Sequence, residues 1–236
     1  MKKGKLYLIP TTLGGLDDLE KVLPSHNAMI IRQLDEFIVE QLRTARRFIS
    51  KISHPVAIDK IVFHELNKHT RENELSAYLN AVETGKSIGL LSEAGTPCVA
   101  DPGALIVQLA HEKHIEVVPL VGPNSIIMAL MASGFNGQHF TFHGYLPVDK
   151  QALQKKIRDI ESASRALQQT QIFIETPYRN NQLMAKLIEV CKPDTKICTA
   201  TDLTMNSERI CTFSTRQWKK ETVDLHKKPT VFLLYF

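Results

Sequence analysis

Along the first half of the chain, short apolar runs alternate with segments whose apolar residues recur at helical spacing, a pattern that predicts βα units and a largely parallel sheet. Lys5–Ile9 predicts a first strand and residues 28–31 a second. From residue 37 to 52, Phe37, Ile38, Leu42, Ala45, Phe48, Ile49 and Ile52 share one helical stripe, with Glu40, Arg43, Arg46 and Arg47 off it. This predicts one amphipathic helix. Residues 61–64 read as a third strand and 72–84 as a helix burying Leu75, Leu79 and Val82, stopped by Gly85. Residues 88–92 form a fourth strand whose unbroken apolar character predicts burial on both faces.

A helix at 104–111 and a fifth strand at 115–120 lead into Pro119 and the Val121-Gly122-Pro123 turn, where a domain boundary is expected. The predicted domains are residues 1–121 and 122–236, both α/β. The second opens with a helix (125–133), a strand (140–145) and a charged helix (153–168). Strand (172–175), helix (181–191), strands (196–201 and 209–213), a short helix and a last strand (230–236) complete it. Strand following strand near residues 201–209 predicts an antiparallel hairpin, so the second sheet is expected to be mixed.

With 236 residues, 43% of them hydrophobic, the chain can build its cores without disulfides or metals. No apolar run approaches the roughly 20 residues of a membrane helix, and no signal-peptide core follows the basic start. A cytoplasmic protein that neither spans a membrane nor binds a metal is expected. Cys98, Cys191, Cys198 and Cys211 show no Cys-x-x-Cys pair and read as buried free thiols. The net charge of +4 is uneven: residues 1–148 carry 14 basic and 15 acidic side chains, residues 149–236 carry 15 and 10. A basic C-terminal surface fits RNA as a partner, and solvated lysines such as Lys219, Lys220, Lys227 and Lys228 explain the same count.

Spacing removes several familiar motifs. Gly85-Lys86-Ser87 lacks the first glycine of a phosphate loop, which would stand at Asn80. His64 and His69 are five positions apart and diverge by about 140° on a helix, which excludes a zinc helix. No Gly-x-Gly-x-x-Gly follows the first strand.

The segment Leu91-Ser92-Glu93-Ala94-Gly95-Thr96-Pro97-Cys98-Val99-Ala100-Asp101-Pro102-Gly103 leaves a central strand at its carboxyl end, where parallel sheets place ligands. Ala94 and Gly95 keep side chains small, so that a ligand can approach the backbone, and Gly95→Leu is expected to abolish binding with the fold intact. Asp101 and Pro102 read as the start of the next helix. Glu93 either faces a cationic ligand or caps a turn. Ile9-Pro10-Thr11-Thr12-Leu13-Gly14-Gly15 and Leu120-Val121-Gly122-Pro123-Asn124-Ser125 leave neighbouring strands, so three shaped loops share one edge and predict a pocket.

These same residues, IPTTLGGL, LLSEAGTPCVADPG, VVPLVGPNSIIMALMASG, FHGYLP and FIETPYR, closely resemble the tetrapyrrole methylase superfamily of S-adenosylmethionine-dependent methyltransferases. Within it they are most similar to the branch that methylates a cytidine ribose 2′-hydroxyl in small-subunit ribosomal RNA. The resemblance implies two α/β domains, S-adenosylmethionine in the cleft between them, and a homodimer. It assigns the cofactor to Thr11, Thr12, Gly14, Ser92, Glu93, Ala94, Gly95, Ser125 and Ile126, with Glu175, Thr176, Asp202 and Leu203 from the second domain.

On the acceptor side the ribosomal branch carries Glu-Asp-Thr-Arg where this chain has Glu40-Gln41-Leu42-Arg43. Glu40 and Arg43 persist and, with His64 and Glu65, are expected to form the substrate wall, His64 being the histidine nominated as base. The alternative is a helix ion pair between Glu40 and Arg43. Three functions stay open at this point: RNA methylation, methylation of a tetrapyrrole or other small molecule, and cofactor binding without turnover.

Overall fold

A computed structural model describes residues 3–16, 19–66, 70 and 72–236; His69 lies outside them. The chain divides into two compact units, Met1–Asn124 and Ser125–Phe236. The division falls after Asn124 because the turn from Gly122 stays with the first unit. There the Asn124 amide donates to Thr96 Oγ1 at 2.6 Å, and Pro10 packs so closely on Gly122 that a Cβ would lie 2.3 Å from its Cγ.

The first unit runs β1 (Lys5–Ile9), α1 (Leu19–Val22), α2 (Ser25–Ile31), β2 (Glu36–Val39), α3 (Leu42–Lys51) and a 3-10 turn at Ile58–Lys60. It continues with β3 (Val62–Glu65), α4 (Glu72–Ala77), α5 (Asn80–Glu83), β4 (Ile88–Leu91), α6 (Ala104–Glu112) and β5 (Glu116–Pro119). Among the described residues the sheet has the order β3-β2-β4-β1-β5, parallel throughout, with β4 at its centre. Every residue of β4 is buried, as its apolar run predicts.

Two predicted elements are corrected. Residues 28–31 are the end of helix α2, which follows Pro24 and buries Asn27 and Ile31 one turn apart while Met29 is exposed. The predicted helix over 37–52 is strand β2 followed by α3. Phe37 and Val39 pack into one core and Ile38 into the other, on opposite faces of the sheet. Glu40 therefore leaves the carboxyl end of a strand instead of riding on a helix. The helix predicted over 72–84 is interrupted at Tyr78 and Leu79, yet Leu75, Leu79 and Val82 are all buried.

The second unit comprises α7 (Ser125–Ser133), β6 (Phe140–Tyr145), α8 (Lys150–Leu167), β7 (Thr170–Ile174) and α9 (Asn180–Val190), then β8 (Lys196–Thr201), β9 (Arg209–Ser214), α10 (Thr215–Trp218) and β10 (Thr230–Tyr235). Its sheet order is β6-β7-β10-β8-β9, with β6 and β7 parallel and the other neighbours antiparallel. The mixed sheet and the β8–β9 hairpin match the sequence pattern. Phe173, Phe232 and Trp218 centre a core closed by Leu153, Ile157 and Ile160 of α8 and Leu183, Met184 and Leu187 of α9. Among the described residues no helix is long and apolar enough to cross a membrane. The four cysteines are free; Cys191 and Cys198 are buried, Cys98 and Cys211 partly so.

Candidate active site

Because β4, β1 and β5 are adjacent and parallel, the loops that follow them emerge at one edge of the sheet. Hydrogen bonds staple the first two together. Thr11 N–H donates to Gly95 O at 3.0 Å and Gly95 N–H to Thr12 O at 3.3 Å. The Thr11 hydroxyl lies 3.3 Å from both the Ser92 carbonyl and the Ser92 hydroxyl, and Ser92 Oγ donates onward to the Gly95 carbonyl. The Thr12 hydroxyl donates to Gly14 O at 3.0 Å. Thr11, Thr12 and Ser92 are buried, so their hydroxyls serve first to fix the shape of this edge.

Gly95 is required for a reason the sequence did not show. Its φ is +71°, and a Cβ there would lie 2.8 Å from Leu13 Cδ2 and 2.9 Å from the Pro123 carbonyl oxygen. A side chain at 95 therefore collides with the loop's own frame, not with ligand space. Cys98 and Ala100 are also left-handed, at φ 66° and 63°. Such conformations cost about 1–2 kcal/mol each in a residue with a Cβ, strain of the sort that gathers at binding sites. Asp101 holds the loop in place: its Oδ1 accepts the Cys98 N–H at 2.8 Å and the Gly103 N–H at 2.9 Å.

Between these loops and α3 lies a cavity of about 220 Å³, lined in part by Thr11, Gly14, Thr44, Arg47, Phe48 and Glu93. That is below the 300–1,000 Å³ of whole ligand sites, so this wall has room for only part of such a ligand. Thr44 donates to a carboxylate oxygen of Glu93 from the first turn of α3. Ala94 stands exposed beside it. The sequence pattern marks Arg47 only as a polar position off the apolar stripe and does not mark Thr44, because it starts the helix that carries them five residues early.

Glu40 sits half-buried among acids. Burial raises its pKa, the Asp101 and Glu93 carboxylates raise it further, and a hydrogen bond from the Glu93 backbone only partly offsets them. Burial likewise raises Asp101, against its two backbone hydrogen bonds. The Cys98 thiol, partly buried beside Asp101, is pushed up to about 12 and stays protonated.

The register sets His64 on the neighbouring strand opposite Ile38, and its ring engages other partners than Glu40. His64 Nε2 is 2.7 Å from Glu36 Oε1, at the opposite end of β2 from Glu40, and its ring stacks on Tyr78 with centroids 4.9 Å apart. Arg43 is exposed on α3, and no ion pair joins it to Glu40 among the described residues. The helix ion-pair reading fails because Glu40 precedes the helix.

In the second unit, β7 and β8 both run antiparallel to β10, so their carboxyl ends share an edge. This places Glu175 and Thr176 near Asp202 and Leu203. Glu175 is buried, 3.0 Å from Arg179 Nη2, and its Oε1 accepts the Thr176 N–H at 2.6 Å. Asp202, left-handed at φ 51°, accepts from Ser207 Oγ at 3.0 Å. Ser125 opens α7 and Ile126 is buried within this unit.

Residues 5–217 match the family of tetrapyrrole (corrin/porphyrin) methylases. The chain belongs to this family. It is 30% identical to the ribosomal RNA small subunit methyltransferase I of Vibrio cholerae over 87% of its own length and 67% of that protein's. It is 32% identical to the protein of the same name from Bacillus subtilis, over 87% of this chain and 65% of the relative. The chain thus spans about two thirds of these relatives. Among solved structures, the methyltransferase CobJ superposes with a TM-score of 0.64 at 17% identity, covering 98% of this chain and 94% of that one. Uroporphyrin-III C-methyltransferase from Thermus thermophilus, complexed with S-adenosylhomocysteine, gives 0.57 at 15% identity, covering 98% and 97%. These establish the fold. As a member of the family, the chain is an S-adenosylmethionine-dependent methyltransferase.

The residues present suit that donor. Phe48, Leu16 and Leu91 offer apolar walls, stapled backbone gives a fixed cradle, and Glu93 supplies a carboxylate for the ammonium group of the donor's amino acid.

Proposed function

We propose that this methyltransferase acts on the 2′-hydroxyl of a ribose in small-subunit ribosomal RNA. The ribosomal relatives support the substrate, and the observation that carries the chemistry is Glu40, a half-buried carboxyl beside the stapled 91–103 loop. When bound, S-adenosylmethionine supplies an electrophilic methyl group on a sulfonium leaving group. The chain's tasks are to hold the hydroxyl oxygen in line with that methyl, exclude water, and accept the hydroxyl proton. Glu40 takes the proton on a carboxylate oxygen; a pKa above the usual carboxylate range makes it a stronger base once ionised. His64, already bonded to Glu36, serves the fold.

The donor contacts are part of the same proposal: the backbone of residues 11–14 and 92–95, Ser125 and Ile126, and Glu175, Thr176, Asp202 and Leu203. A homodimer in the cytoplasm completes it, with exposed Met131, Tyr145 and Val148 as apolar surface for the second copy.

Incubation with methyl-labelled donor and small ribosomal subunits lacking the modification tests the reading. Label is expected in RNA, at a ribose that becomes resistant to alkaline cleavage. Label transferred to uroporphyrinogen and not to RNA would establish the small-molecule alternative; donor binding without transfer to either would establish the non-catalytic one.

A further inference from the structure

The charge count of the whole chain directs attention to its C-terminal part, but a second concentration of positive charge lies in the first unit. Helix α3 (Leu42–Lys51) contains Arg43, Arg46, Arg47 and Lys51 and no acidic residue, within a stretch, residues 1–148, whose net charge is −1. Ala45, Phe48 and Ile49 are buried and fix which face the helix turns outward. On that face Arg43, Arg47 and Lys51 stand at i, i+4 and i+8, about 6 Å apart along the axis.

Arg46 is paired with Asp59 at 2.5 Å. Among the described residues, Arg43, Arg47 and Lys51 have no carboxylate at ion-pair distance. Like charges one turn apart repel, and helix propensity does not require them. An open groove of about 490 Å³, lined by Leu16, Arg46, Arg47, Ser50, Lys51 and Ile58, follows the Arg47–Lys51 part of this stripe. Arg47 lines both this groove and the cavity assigned to the donor. The groove and the cavity thus adjoin at Leu16 and Arg47.

We propose that this groove and the exposed turn of α3 before it bind successive phosphates of the RNA strand that flanks the acceptor ribose, with Arg47 and Lys51 in the groove and Arg43 beyond its end as the phosphate contacts. The inference rests on the RNA reading and adds to it where the strand lies. The stripe's cations stand one helical turn apart, a spacing suited to neighbouring phosphates, and arginine also offers paired donors to phosphate oxygens. Such contacts position the strand and carry no sequence information.

The test uses the full chain and a labelled transcript of small-subunit ribosomal RNA, with affinity measured by fluorescence anisotropy across a potassium chloride series. Each phosphate contact contributes about 0.7–0.9 to the slope of log affinity against log salt. The triple variant Arg43→Gln, Arg47→Gln, Lys51→Gln is expected to lower that slope by about 2–3 and to weaken binding more than tenfold at low salt. Arg43→Gln and Lys51→Gln singly should each lower it by about one contact, which guards against a triple variant that fails to fold. Asp59→Asn releases Arg46 and is expected to tighten binding, a gain that damage to the fold cannot mimic. A control in which Lys219, Lys220, Lys227 and Lys228 become Gln should leave the slope unchanged.

If the control variant loses the slope and the α3 variants keep it, the groove is not the RNA surface, although the RNA reading stands. If the wild-type protein binds the transcript with no salt dependence, or not at all, the RNA reading falls and the groove assignment with it.

Discussion

At Glu40 three carboxyl groups share a small space, and the energetics of that crowding are open to measurement. Its pKa in the folded chain is raised by burial first and by Asp101 and Glu93 second, whereas in the unfolded chain it is about 4.3. The folded state therefore holds the proton more tightly. The stabilising effect is complete at pH values below the unfolded pKa and is lost as pH rises through the folded one. Glu40→Gln is accordingly expected to raise the urea midpoint at neutral pH while reducing kcat by about 10²–10⁴. The acid limb of the kcat profile should lie above the usual carboxylate range. Asp101→Asn should move it down, since the Coulomb contribution goes while Asn Oδ1 can still accept from Cys98 and Gly103. An acid limb that stays in place in Asp101→Asn would mean that the group read in the profile is not Glu40. A kcat unaffected by Glu40→Gln would remove the residue from the chemistry.

The elements most legible in the sequence are those whose pattern has a single solution. Ile88–Leu91 can only be a strand buried on both faces, and Lys150–Leu167 only a long amphipathic helix, capped by Asp149 through the Gln151 and Ala152 N–H groups. Residues 37–52 had two solutions. Ile38, Leu42, Ala45, Ile49 and Ile52 keep helical phase straight across the junction of β2 and α3, so periodicity alone joined a strand to a helix. The run Phe37-Ile38-Val39, aromatic and β-branched, was the signal for a strand. Its loss hid the position of Glu40 at the sheet edge and of Thr44 and Arg47 on the first turns of α3. His64 was illegible for another reason: its partner Glu36 is 28 residues away, and only the β2–β3 register brings the two together. The 91–103 loop was legible as a site but not in its internal geometry. Ala100 pays for a left-handed conformation that glycine adopts freely, so Ala100→Gly is expected to stabilise the first unit by up to about 1 kcal/mol. Gly95→Ala, at φ +71° and against Leu13 and Pro123, should destabilise by more than that. Chemical denaturation of both variants checks the pair, and a Gly95→Ala as stable as wild type would mean that the loop relaxes without cost.

At the scale of the whole molecule, two units with separate cores raise the question of which residues the donor engages. A ligand that binds only the native state adds about 2.7 kcal/mol at 100 times its dissociation constant. For a unit of this size that corresponds to a rise in Tm of roughly 10 °C. The stapled loops lie within Met1–Asn124, whereas Glu175, Thr176, Asp202 and Leu203 lie within Ser125–Phe236. Scanning calorimetry with and without saturating S-adenosylmethionine separates the contributions. If the donor is held by both sets of residues, binding links the unfolding of the two units, and any separate transitions should rise together and merge. Asp202→Asn should then weaken the shift in both. A donor that raises a first transition and leaves a second untouched confines the site to the loops around Gly95, and the second-unit residues lose their assignment. A chain whose melting does not respond to the donor at all would remove the basis for placing S-adenosylmethionine at this edge of the sheet.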